Sequence, residues 1–118
     1  MKRDMDKVRG AMLALEANDG PFMMTMDTPA LGGTDDGRET VEYILMLYSA
    51  GFLDSSQRSA YRISWAGHEF LDSVRDPEIW QKTKEGVGKL GSWSMKLLGD
   101  LAIGFARAKA QQLGLPVV

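Results

Sequence analysis

The sequence predicts a mostly α-helical fold carrying one small β-hairpin, with two further helices after it. Three observations predict it. Thr40 to Asp76 reads as helix, glycine stop, strand, polar loop, strand and helix. Apolar residues before and after this stretch recur at three- and four-residue steps. Hydrophobic residues make up 44% of 118, enough for one modest core.

The first helix is expected from the cap residue Asp4 to about Ala17, with Met5, Val8, Met12 and Leu15 on one face. Asn18-Asp19-Gly20-Pro21 stops it. Phe22-Met23-Met24-Thr25-Met26 is either a short strand or a packed irregular segment whose methionines fill core gaps. Asp27 to Gly37 reads as a loop with room for one helical turn. The next helix spans Asp36 to Ala50, its buried face formed by Val41, Ile44, Leu45 and Tyr48 with Leu47 on the flank. Gly51 ends it. Phe52 to Asp54 is the first hairpin strand, Ser55 to Ser59 the loop and Ala60 to Ile63 the return strand. Ser64 caps a helix whose apolar face holds Trp65, Leu71 and Val74 with Phe70 beside them. Asp76-Pro77 restarts the chain as a helix to about Leu90, with Ile79, Trp80 and Val87 apolar and Gly86 and Gly88 weakening its second half. Gly91-Ser92 breaks it. The last helix runs from about Trp93 to Leu113 with a stripe of Met95, Leu98, Leu101, Ala102 and Phe105, closed by Gly114 and Pro116. This layout is winged helix-turn-helix-like: a domain over 1–76 and a helical extension over 77–118 that packs on it or forms a dimer.

Composition narrows the function classes. The chain has no cysteine, which removes disulfides and zinc-thiolate sites and favours a reducing cytoplasm. The opening MKRDMDKVRG has no apolar run behind its charges, so no signal peptide is expected, and no stretch has the length of a membrane span. Net charge is −2. The acids concentrate in residues 1–74, which hold seven Lys/Arg against twelve Asp/Glu. Dedicated nucleic-acid binders are more often basic.

Nothing in the residues points to an enzyme, a cofactor or a metal. His68 is the only histidine and stands without a nucleophile elbow, so a structural role, capping or packing against the hairpin, is expected of it. The Asp-rich loop lacks the calcium register, and its Gly-Gly lacks the lysine of a phosphate loop. Recognition remains. In a winged-helix DNA binder the helix before the hairpin enters the major groove and the hairpin touches phosphate. That assigns DNA contacts to Arg38 and Tyr43 on the helix and to Gln57, Arg58 and Arg62 on the hairpin. Glu39, Glu42, Met46 and Ser49 share the helix's expected outer face. Lys2, Arg3, Lys7 and Arg9 add an N-terminal basic patch. Against this, Asp35, Asp36, Glu39 and Glu42 outnumber Arg38, and each repels phosphate. Leu98, Leu101 and Phe105 are the residues expected at a homodimer interface.

Leu47-Tyr48-Ser49-Ala50-Gly51-Phe52-Leu53, with the later block Tyr61 to Leu71, resembles the winged-helix pattern of MarR-like and PadR-like regulators; Ile63, Ser64, Gly67 and Leu71 occupy the places of its Leu-Thr-x-x-Gly-x-x-x-Leu segment. A wider match joins the opening Met1 to Asp6, the Trp65 to Asp72 block, Arg75-Asp76, Ile79-Trp80 and the Gly91-Ser92 break. Together these resemble a family of small bacterial proteins carried on phages and prophages and grouped as a domain of unknown function. The resemblance implies a cytoplasmic, mobile-element-associated protein and transfers no site residues. It departs from the winged-helix pattern before Thr40, where the helix that braces the reading helix is short or missing. Two functions are expected from this: a DNA-binding regulator, or a module that binds a host or phage protein through an acidic face.

Overall fold

A computed structural model of the chain describes residues 3–91 and 93–114. Lys2, Ser92 and Pro116, expected to be a basic contact, a helix break and a helix stop, lie outside them. The order is α1 (Met5–Ala17), β1 (Phe22–Met23), α2 (Gly37–Ser49), β2 (Leu53–Gln57), β3 (Ala60–Ile63), α3 (Trp65–Val74), α4 (Pro77–Leu90) and α5 (Met95–Gln112). The chain is therefore mostly helical with a small antiparallel sheet in the order β1-β3-β2. It divides into two compact units, residues 1–71 and 72–118.

The caps come directly from the sequence. The Asp4 carboxylate accepts from the Asp6 amide, Asp36 from Glu39 and Asp76 from Glu78, so each satisfies an amide that the first helical turn leaves open. At the end of α2, Gly51 takes a left-handed φ of 86°. Its N–H reaches the Tyr48 carbonyl and the Phe52 N–H reaches that of Leu47, which is the paired stop of a Schellman motif. Ser64 then works in both directions. Its hydroxyl donates to the Gly51 carbonyl at 2.5 Å and accepts from the Gly67 amide at 3.0 Å, tying the start of α3 to the end of α2.

Of the two alternatives for Phe22 to Met26, the short strand forms: β1 is two residues long and pairs with Tyr61 and Ala60, while Met26 beyond it is fully exposed and fills no core gap. The turn at Gly20 precedes β1 and a Thr25–Thr28 turn follows, so the strand has no room to lengthen. Three local expectations are corrected. Strand β2 runs on through the expected loop to Gln57, with a bulge between Ser55 and Gln57, and leaves only Arg58-Ser59 as the turn. Ser59, the second residue of that turn, takes a left-handed φ of 60°.

The other two concern helix faces. α2 buries Thr40, Tyr43, Ile44 and Leu47, and leaves Leu45 and Tyr48 43% and 45% exposed. Trp65 is not part of the α3 core face either. It is 81% exposed, while Gly67, Phe70 and Leu71 turn inward. Phe70 stacks on Phe52 with ring centroids 5.0 Å apart.

Backbone approach explains two glycines. A Cβ at Gly10 would stand 2.0 Å from the Gly32 carbonyl oxygen, so α1 lies directly on the loop before α2. A Cβ at Gly67 would stand 2.2 Å from the Phe52 carbonyl oxygen, so α3 lies directly on the hairpin's entry. The loop itself contains no helical turn and is pinned from inside. The buried Thr34 and Thr40 hydroxyls are 2.7 Å apart, and the Leu31 amide donates to both.

In residues 72–118, α4 and α5 form an antiparallel pair. The α5 stripe closes on α4: Phe105 and Leu101 reach to within 3.6–3.7 Å of where a Gly86 side chain would begin. Helix α4 is continuous through Gly86 and Gly88. α5 begins at Met95 because Ser94, not Trp93, supplies the cap.

Candidate recognition surface

Two polar ties fix how α2 sits on α1. The Tyr43 hydroxyl accepts from the Asp4 amide at 2.8 Å, and Lys7 Nζ meets Glu39 Oε1 at 2.5 Å and Asp35 Oδ2 at 3.5 Å. The same Glu39 oxygen accepts from the Asp35 amide. The hydrogen bond from Lys7, with the Asp35 amide behind it, holds the Glu39 carboxyl below its ordinary range. Lys7 is raised in turn, mainly by its hydrogen bond to Glu39.

These ties correct two of the expected DNA contacts. Tyr43 is 1% exposed and belongs to the core, so it cannot touch a ligand from the α2 surface. Lys7 is engaged by Glu39 and Asp35, which takes it out of the expected basic patch. Arg3 is exposed and Arg9 half-buried.

Of the expected DNA contacts that stay at the surface, Arg38 and Arg62 line separate grooves. Gln57 and Arg58 are exposed at the hairpin tip. Arg62 is exposed on β3 directly across from Asp54, so a carboxylate faces it on the neighbouring strand. Arg62 lines a groove of about 490 Å³ with Trp65, His68 and Glu16. Arg38 lines a different groove, of about 620 Å³, with Asp36, Val41, Glu42 and Met26. His68 is exposed beside Trp65 and does not cap α3, since Ser64 does. Among the described residues no three of His, Asp or Glu come together as metal ligands.

Leu98 is also corrected. It is fully buried and unavailable to a second copy, while Leu101 and Phe105 are half-buried against α4.

What the sequence missed is the outer face of α2. Arg38, Val41, Glu42, Leu45 and Tyr48 follow helical spacing along it, and two of the large apolar residues are substantially exposed. A signal was present. Thr40, Tyr43, Ile44 and Leu47 also form an i, i+3, i+4, i+7 stripe, so α2 carries two overlapping apolar faces and only one can be inside.

Comparison with known proteins adds a family. The model of the family described as "Hypothetical protein (DUF2513)" matches residues 2–94. An uncharacterised protein of Haemophilus influenzae is 30% identical over 96 residues, covering 74% of this chain and 79% of that protein. No solved structure matches.

Proposed function

The chain belongs to the DUF2513 family, and on that premise we propose that it is a protein-recognition module with a winged-helix-like core, working through the outer face of α2. The observation that carries the reading is the burial of Tyr43 together with the exposure of Leu45 and Tyr48. In a DNA reader, the helix before the hairpin presents cations and hydrogen-bonding side chains to base edges. Here that helix presents Leu45, Tyr48 and Glu42 beside one arginine, Arg38. Residues 1–71 hold seven Lys/Arg against eleven Asp/Glu, a balance that repels phosphate. Exposed apolar residues rimmed by charge suit a protein partner. The resemblance to phage-borne proteins supplies the setting: a cytoplasmic accessory factor whose partner is a host or phage protein.

A second reading is DNA binding through the hairpin, favoured by Gln57 and Arg58 at its exposed tip. The β1-β3-β2 sheet and the helix–hairpin–helix order also suit the MarR-like and PadR-like likeness. Retention of genomic DNA fragments at low salt separates the two. The protein-recognition reading expects none from the whole chain. Retention that disappears when Arg58 and Arg62 are both changed to glutamate would establish the second reading and displace the first.

A further inference from the structure

We propose that the outer face of α2, with the Met26 groove beside it, is the seat of a basic amphipathic helix from the partner; this rests on the protein-recognition reading above. Met26, fully exposed, and Val41 both line the groove. From Val41 the apolar line continues along α2 to Leu45 and Tyr48, seven residues or about 10 Å. That is two turns, the length over which a partner helix places two or three anchors at three- and four-residue spacing. A methionine on the rim adapts to differently shaped side chains.

Charge selects the partner's sign. Asp36 and Glu42 line the groove and Asp27 is exposed next to Met26, while Arg38 is the single cation of the lining. Asp36 Oδ1 also accepts from the Glu39 amide. A helix with lysine or arginine flanking its apolar anchors meets complementary charge here, whereas DNA or an acidic helix meets repulsion.

The test uses a fluorescent synthetic peptide of leucine and lysine, about 18 residues or five turns long, with its leucines on one helical face. Its controls are a scrambled peptide of the same composition and an amphipathic leucine–glutamate peptide. Anisotropy against the whole chain is expected to show binding of the amphipathic basic peptide at least about tenfold tighter than either control. Leu45→Asp and Glu42→Lys, both surface changes, are each expected to weaken it about fivefold or more. Thermal unfolding checks that both variants stay folded. Equal binding of the scrambled peptide overturns the proposal, because it reports charge alone. Equal binding of the leucine–glutamate peptide overturns the basic-partner inference. If that binding is still lost in Leu45→Asp, the protein-recognition reading survives; if it is not, both fall.

Discussion

At the scale of single residues, the clearest reassignment is Tyr43. Its place between Glu42 and Ile44 gives no hint that its hydroxyl will meet the Asp4 amide 39 positions away. Removing that hydroxyl by Tyr43→Phe leaves a part-buried amide without its acceptor, and a cost of about 1 kcal/mol is expected in urea unfolding. Any ligand binding at the α2 surface should be unchanged. Gly67 is more demanding. Gly67→Ala drives a methyl onto the Phe52 carbonyl oxygen, a backbone atom that cannot move alone. A loss of roughly 1–3 kcal/mol or more is expected from the same measurement. Ser64 joins two elements through one hydroxyl, and Ser64→Ala should cost about 1–2 kcal/mol by removing a cap. The Ser64 cap was legible from its position before an apolar run. The Gly67 clash was not, because it depends on where Phe52 lies in space.

At the scale of elements, helix and strand positions were legible and helix rotations were not. Caps and stops act within a few residues, so Asp4, Asp36, Gly51, Ser64 and Asp76 each marked a boundary from the sequence alone. Which of two apolar stripes on α2 turns inward depends on what α1 and the Thr34–Thr40 loop offer it, and those are long-range contacts. Ion pairs between elements carry a pH signature. Asp76, hydrogen-bonded by Lys109, and Glu39, hydrogen-bonded by Lys7, are both held below the ordinary carboxyl range. Their stabilisation is present above about pH 4 and is lost as pH falls through their lowered values. Lys109 and Lys7 are raised, mainly by the hydrogen bonds to Asp76 and Glu39, so the same contacts persist to about pH 10 and are lost as pH rises through the raised values. Thermal midpoints should therefore be level between these limits and fall outside them. Lys7→Met and Lys109→Met should each flatten part of the acid limb. In the α4–α5 pair, Phe105→Ala should lower the thermal midpoint, since Phe105 packs over Gly86. Light scattering should give the same mass before and after the change.

For the whole molecule, charge and exposed apolar area decide between partners. Residues 1–71 carry a net charge of −4 by sequence, with Lys7 already held by two of their acids. Of the exposed large hydrophobic residues, Met23, Met26, Leu45, Tyr48 and Trp65 belong to this unit, and Leu90 and Leu113 to the other. On the proposed reading, this unit meets a protein partner rather than DNA. Among the described residues no helix is long and apolar enough to cross a membrane. Low-salt DNA retention by the whole chain is the measurement at this scale, and its expected absence follows from the sign of the charge.

By itself the sequence determined the helical class, the hairpin, the helix stops and starts, and the acidic balance of the first unit, because capping, turn chemistry and charge are local or additive. Only the tertiary structure decided that Tyr43 and Leu98 are inside, that Trp65, Leu45 and Tyr48 are outside, and that Arg38 and Arg62 line separate grooves. Those outcomes are set by burial competition among segments distant in the chain, where one residue's rotation on a helix moves a side chain by about 100°.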